Sequence, residues 1–287
     1  MDWQSVKKKL ADFSELVMFQ HSVFSLPFIF VAMVVAAQGW FGWRLLILGA
    51  LAAVTARNFA MGVNRYLDRD IDALNPRTKN RPSVDGRVSE GQMLGFILLN
   101  ALGFVAVAWA INDLAFKLSF PILAVLGAYT LFKRFSALAH IVLGISLGLA
   151  PIAGAVAVSA SIPIWSLWLA AGVTFWVAGF DLLYSLQDME FDRAHGLHSI
   201  PSRLGPSRTL VLAAFFHLLT VMFWELFVRS AGLGGWAQAA VLFSALMLGY
   251  EHYLVRKDFT QIDRAFFTVN GYLGFVFFGL VVLDVLF

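Results

Sequence analysis

Cysteine is absent from the 287-residue chain. That excludes disulfides, iron–sulfur clusters, thiolate zinc sites and a cysteine nucleophile, and it leaves the redox compartment open. Charge is scarce as well. Asp, Glu, Lys and Arg make up 14% of the residues, where soluble proteins carry roughly 25%. So little charge excludes both a disordered chain and a nucleic-acid-binding module, each of which needs an extensive polar surface. Apolar bulk fills the composition instead. The chain is 60% hydrophobic, with 28 Phe and 9 Trp, against roughly 45 to 50% apolar in soluble domains, and its mean hydropathy is +0.76. The solvent this implies is lipid.

A bilayer core of about 30 Å needs roughly 20 apolar residues as a helix, because every backbone N–H and C=O must be satisfied within its own segment. Such segments recur at 22–38, 45–67, 92–111, 118–132, 138–160, 164–187, 208–228, 236–255 and 266–287, which predicts nine spans in one domain over 1–287. The fifth, with Gly144, Gly148, Pro151 and Gly154, is expected to kink. The start of the chain is polar, with Lys7, Lys8 and Lys9. The apolar run that follows is too long for a signal peptide and lacks a small-residue cleavage site, so it reads as an anchor. With nine spans, seventeen of the 21 basic residues fall on the side of the N-terminus, and Arg44, Lys117 and Arg229 on the other. The excess of Lys and Arg marks the cytoplasmic face. It predicts a multi-pass membrane protein with its N-terminus and long polar loops inside, and it explains the pI near 9.3 without nucleic acid; the expected setting is the inner membrane of a bacterial or archaeal cell.

Acidic residues do not obey that rule, so their clustering is informative. Nine of the eighteen fall in two stretches, Asp68 to Glu90 and Asp181 to Asp192, each holding a motif. The first, within about 64–82, reads Asn64-x-x-x-Asp68-x-x-x-Asp72; the second, within about 181–203, reads Asp181-x-x-Tyr184-x-x-x-Asp188-x-x-x-Asp192. Both begin at the cytoplasmic end of a span, four spans apart, as an internal duplication would. Residues i and i+4 share a helix face, and like charges there are destabilising unless a cation compensates. Two such pairs invite a divalent metal. Hard oxygen ligands without His or Cys favour Mg²⁺, which completes its octahedron with water and phosphate oxygens; four carboxylates balance two ions. A diphosphate needs further cations, and the neighbouring loops carry Arg77, Lys79, Arg81, Lys133, Arg134, Arg193 and Arg203. The bland alternative is that these acids are solvated loop charges balancing their basic neighbours. Matched spacing at equivalent span ends weighs against it. Arg57 and Asp181 each lie seven residues before a motif residue, on about the same face but about 10 Å deeper. A charge at that depth usually faces a polar cavity; the structural alternative is that the two pair with each other. His21, His140 and His217 stand alone on apolar segments and read as interior residues. His195 and His198, in the second acidic loop, are within reach of phosphate.

These motifs, together with Arg77 to Pro82, Tyr129 to Arg134 and Gly196 to Pro201, resemble the UbiA superfamily of intramembrane aromatic prenyltransferases along the whole chain. The resemblance implies an all-α bundle of nine transmembrane helices around a central cavity, capped on the cytoplasmic side by the two acidic loops. It implies that Asn64, Asp68, Asp72, Asp188 and Asp192 hold Mg²⁺ and an isoprenyl diphosphate. Arg77, Arg81, Lys133 and Arg134 would contact phosphate or an acceptor carboxylate, and Asp181 and Tyr184 would lie near the reacting carbon.

The expected reaction is transfer of a polyprenyl group from its diphosphate to the ring of an aromatic acid, with the lipid bilayer as a partner and no nucleic acid. Stabilising the departing diphosphate ionises the allylic C–O bond, and a closed apolar cavity keeps water from the cation. Asp181 is positioned to take the proton released. The segment Arg77 to Pro82 most resembles the 4-hydroxybenzoate branch of quinone synthesis; the second motif equally resembles enzymes that prenylate a dihydroxynaphthoate in the futalosine route to menaquinone. An ion-coupled secondary transporter is the rival from another class, but it would hold its polar groups near the midplane, not at helix ends.

Overall fold

The computed structural model describes residues 3–17 and 26–287; His21 and the first residues of the expected first span lie outside them. No strand occurs among the described residues. The helices run α1 (Trp3–Leu16), α2 (Leu26–Ala37), α3 (Trp43–Leu67), α4 (Arg69–Leu74), α5 (Glu90–Ile111), α6 (Asp113–Ala128) and α7 (Ala139–Ser159), and then α8 (Ile164–Tyr184), α9 (Met189–Ala194), α10 (Ile200–Ser230), α11 (Gly235–Lys257), the single turn α12 (Ile262–Arg264) and α13 (Asn270–Leu286). Each of the nine expected spans falls on a helix. Among the described residues seven helices are long and apolar enough to cross a membrane. The other two expected spans are α2, whose helix covers 12 residues, and α11.

Local chemistry sets the boundaries. Ser89 and Gln92 form a reciprocal capping box at the start of α5, satisfying two of the donors a helix start leaves orphaned. Asn112 caps α6 through the N–H of Ala115 and donates its amide to Val156 O on α7 at 2.8 Å. α6 stops at Ala128 and tightens into a 3₁₀ segment, Tyr129–Arg134. α10 is two helices in sequence, because Gly205 (φ 75°, ψ 172°) leaves the helical region just before Pro206, whose ring removes a helical hydrogen bond. The expected kink in the fifth span is not a break: α7 stays helical through Pro151 from Ala139 to Ser159.

α7 packs along α8, α8 along α10, α2 along α7, α3 along α5 and α11 along α13. The α7–α8 approach needs glycine: a Cβ on Gly144 would stand 2.2 Å from Thr174 O, and one on Gly148 would stand 2.3 Å from Thr174 Oγ1. Small residues permit such contacts where lipid supplies no hydrophobic drive. Away from the acidic motifs the core is aromatic. Phe28, Trp176, Trp224 and Phe277 meet with centroids 4.7 to 6.1 Å apart, and Trp176 Nε1 donates to Asn270 Oδ1 at 2.7 Å.

The two acidic motifs share a backbone feature. α3 and α8 each end at an acidic motif, pass through Asp68 (φ −94°, ψ 6°) or Asp188 (φ −98°, ψ 1°), and continue into a six-residue helix, α4 or α9. Both aspartates occupy the sparsely populated bridge region, where many active-site residues sit.

Candidate active site

The short helices α4 and α9, the loops after them and the 3₁₀ segment after α6 close one end of the bundle over a polar cavity of about 260 Å³. Asn64, Asp68 and Asp72 line it from the first motif, Asp181, Tyr184, Asp188 and Asp192 from the second, and Arg77, Arg81 and Lys133 from the loops. The two acidic motifs therefore face one compartment. The helix break at Asp68 preserves the i,i+4 relation, since Asp72 N donates to Asp68 O at 2.8 Å. Both side chains are buried.

Buried carboxylates need partners, and each is met by a cation or an amide. Asp68 Oδ2 accepts from Asn64 Nδ2 at 2.9 Å and Thr130 Oγ1 at 2.8 Å, and it pairs with Lys133 Nζ at 2.6 Å. Arg65 Nη1 donates to Asn64 Oδ1 at 3.0 Å, which fixes the orientation of that amide. Arg81 Nη1 donates to both oxygens of Asp72, at 2.8 and 2.7 Å. The two motifs join at Asp188. Asn75 Nδ2 donates to its Oδ1 at 3.1 Å and Arg77 Nε to the same atom at 3.0 Å, while Arg77 Nη2 pairs with Oδ2. Arg77 Nη1 also reaches Tyr184 OH at 3.4 Å. Burial alone would lower the basicity of Arg77, but the hydrogen bonds and charge of Asp188, with smaller help from Tyr184 and Asp72, hold it above the ordinary guanidinium value.

Several expected residues sit elsewhere. Lys79 is exposed and outside the cavity wall. Arg134 pairs with Asp70, at 2.9 and 2.6 Å, and lies 3.9 Å from Asp68 Oδ1. Its hydrogen bonds hold Asp70 below the usual carboxylate range. Arg193 pairs with Glu190 at 3.2 Å. Arg203 donates to His198 Nδ1 at 2.6 Å, and it is His198 that reaches the cavity; His195 is exposed and lies on Phe191. Arg57 and Asp181 do not pair with each other. The partner of Asp181 is His140, whose Nδ1 lies 2.7 Å from Asp181 Oδ2. Arg57 lines a second, apolar cavity of about 150 Å³.

That second cavity runs between α3, α5, α6 and α7, walled by alanines such as Ala52, Ala56, Ala60 and Ala150 together with Phe104 and Leu126. Tyr129 and Leu143 belong to both cavities, so the polar site ends where the apolar space begins. Sequence reasoning missed Asn75, Thr130 and His140. Their partners are far away in the chain, and no spacing rule connects them.

Magnesium fits this set of side chains. Among the described residues no three His, Asp or Glu side chains are grouped as a preformed metal nest; Lys133, Arg77 and Arg81 pair instead with Asp68, Asp188 and Asp72. Asp68 Oδ1 is nevertheless buried with no hydrogen-bond partner, and four hard carboxylates face the same space, the donor chemistry magnesium selects.

Comparison with known proteins finds relatives along nearly the whole chain. A family model described as "UbiA prenyltransferase family" matches residues 25–280. The 4-hydroxybenzoate octaprenyltransferase of Herminiimonas arsenicoxydans is 31% identical over 261 residues, covering 89% of each chain. Among solved structures, the apo structure of a UbiA homolog from Aeropyrum pernix K1 superposes with a TM-score of 0.85 at 33% identity, over 93% of this chain and 98% of that one. A UbiA homolog from Archaeoglobus fulgidus bound to GPP and Mg²⁺ shares the fold, with a TM-score of 0.73 at 19% identity over 94% and 99% of the two chains.

Proposed function

Since this chain belongs to the UbiA prenyltransferase family, we propose that it transfers a polyprenyl group from polyprenyl diphosphate to the ring of an aromatic acid, 4-hydroxybenzoate, in ubiquinone-type quinone biosynthesis. The observation that carries this reading is the seam at Tyr129 and Leu143, where a cavity of cations and carboxylates adjoins one of alanines and aromatics. A diphosphate with a long hydrocarbon tail matches that division. The acceptor follows the name of the Herminiimonas relative.

In this reading Arg77, Arg81 and Lys133 turn from their aspartates to the diphosphate oxygens. Asp68, Asp72, Asp188 and Asp192 would then hold magnesium, one ion to each motif; bound there it supplies Lewis-acid stabilisation of the leaving group. As the allylic C–O bond breaks, both electrons leave with the diphosphate, and the Arg and Lys side chains stabilise that charge in a site with little water. The apolar walls keep water from the cation while a ring carbon uses its π pair to form the new C–C bond. The C–H pair then returns to the ring as the proton passes to an oxygen of Asp181, and Tyr184 holds Arg77 against the site. The same reading sets the protein in the inner membrane of a bacterial or archaeal cell, with the acidic loops in the cytoplasm.

The test is turnover of radiolabelled polyprenyl diphosphate by the full chain in nanodiscs, with 4-hydroxybenzoate and a dihydroxynaphthoate as alternative acceptors, with Mg²⁺ or EDTA. Asp68→Ala and Asp188→Ala should each lower turnover by at least about 10²-fold, the order expected when an electrostatic stabiliser of the transition state is lost. Near-normal turnover in either variant would reject the carboxylate assignment, and prenylation of the naphthoate alone would move the protein to menaquinone synthesis.

A further inference from the structure

His140 lies in the first turn of α7 and is buried, yet its ring reaches the wall of the polar cavity. Both ring nitrogens are engaged. Ile200 N, an N–H at the start of α10 with no intrahelical acceptor, donates to Nε2 at 3.4 Å. A nitrogen that accepts a backbone N–H carries no proton, so the proton of the neutral ring sits on Nδ1. Nδ1 therefore donates to Asp181 Oδ2, 2.7 Å away. Asp181 keeps 23% of its side chain exposed, whereas His140 keeps 6%. One carboxylate oxygen is thus tied into the helix interface, and the carboxylate retains an open face toward the cavity.

We propose that His140 is a positioning residue for the prenyl transfer. Anchored by the first peptide of α10, it holds Asp181 Oδ2 so that Oδ1 faces the ring from which the proton is taken. This rests on the reading above that Asp181 receives that proton. Ser199, which caps α10 through the N–H of Ser202 at 3.3 Å, fixes the peptide against which the imidazole leans. The chain of control runs from the α10 cap through Ile200 N and the imidazole to the carboxylate. Ser199 also hydrogen-bonds Asp192, but the hydrogen bonds of His140 itself run to Asp181 and Ile200 N, so the loss in a His140 variant should fall on kcat and leave donor binding intact.

The experiment compares steady-state kinetics of the full chain in nanodiscs for His140→Leu, His140→Asn, His140→Gln, Asp181→Ala and the double variant His140→Leu/Asp181→Ala. Loss of orientation at a reacting group costs on the order of 10²-fold. His140→Leu should therefore lower kcat by roughly 10- to 100-fold with KM for polyprenyl diphosphate within about twofold of the parent. Asn has its amide nitrogen near the place of Nδ1 and should recover most of kcat; Gln, whose amide extends to the Nε2 position, should not. The double variant should be no slower than Asp181→Ala alone. If His140→Leu does not accumulate in membranes, the Asn and Gln variants decide the matter between them. Equal impairment of Asn and Gln, a parallel rise in KM, or additive losses in the double variant would overturn the positioning role. Near-normal kcat in Asp181→Ala with a slow His140→Leu would instead remove Asp181 as the proton acceptor, and the proposal with it.

Discussion

The Lys133–Asp68 pair carries a cost that can be measured. Asp68 is 2% exposed, and Lys133 Nζ at 2.6 Å is its closest cation. Removing one partner of a buried ion pair costs about 3 to 5 kcal/mol, because the other charge stays buried and uncompensated. Lys133→Met should lower Tm by roughly 10 °C, read by thermal unfolding in detergent. Lys133→Met/Asp68→Asn should recover most of that loss while turnover stays absent. A double variant as unstable as the single one would mean that the pair is not what Asp68 requires. At this scale the sequence was legible wherever spacing alone carried the information. Asp68 and Asp72, or Asp188 and Asp192, are four apart, and each pair does face one cavity. The loop cations were harder to sort. From 75 to 85 the backbone winds through successive turns closed by bonds such as Thr78 N to Asn75 O and Arg81 N to Thr78 O, which direct Arg77 and Arg81 inward and leave Lys79 in solvent. Chain proximity could not separate them. His140 was legible only as an interior histidine, because Asp181 is 41 positions away and meets it only through the close α7–α8 approach.

Among the elements, α1 is held to the rest of the molecule by Leu16 and Phe13, which pack with Val88 and Met93, and by one guanidinium. Arg87 pairs with both oxygens of Glu15, at 2.6 and 2.8 Å, and with Asp85 at 2.7 Å, and it lies 3.5 Å from Asp12. The hydrogen bonds from Arg87 hold Glu15 below its ordinary value. Burial alone would raise Asp85, but the bonds it accepts from the Arg87 backbone and side chain bring it lower. For carboxylates depressed in the folded state, the stabilisation is fully present above the unfolded values of about 3.9 to 4.3 and fades as pH falls through the lowered folded ones. Hydrogen exchange over residues 3–17, corrected for intrinsic rates, should therefore show α1 protected at pH 7 and released below about pH 4. Arg87→Ala should give the released pattern already at pH 7; protection unchanged in that variant would remove the clamp. The end of α1 also reaches the site, since Arg65 donates both to Leu16 O at 3.2 Å and to Asn64 Oδ1 at 3.0 Å. Nothing in the sequence marks that link, for it depends on two backbones meeting across 49 residues.

For the molecule as a whole, the apolar segments and their order were readable because lipid enforces helix length so strictly. What composition could not give was the interruption of those helices at Asp68, Asp188 and Gly205, which turns a row of spans into a bundle with a closed end. Orientation is open to direct measurement, and the absence of cysteine leaves no native thiol to interfere. With Cys introduced at Lys79, beside the acidic loops, and at Ser161, between α7 and α8, an impermeant maleimide should label the second in intact spheroplasts and the first only after permeabilisation. The opposite pattern would invert the topology.

The self-neutralised carboxylates of the polar cavity also bear on selectivity. An intruding anion gains little from any single arginine or lysine there, since drawing it away strands an aspartate in a medium that solvates charge poorly. Inorganic phosphate or a nucleoside monophosphate carries less negative charge than a diphosphate, and so meets the full penalty with only part of the recompense. Discrimination against the abundant small anions of the cell is thereby built into the resting state, before any hydrocarbon has been sensed.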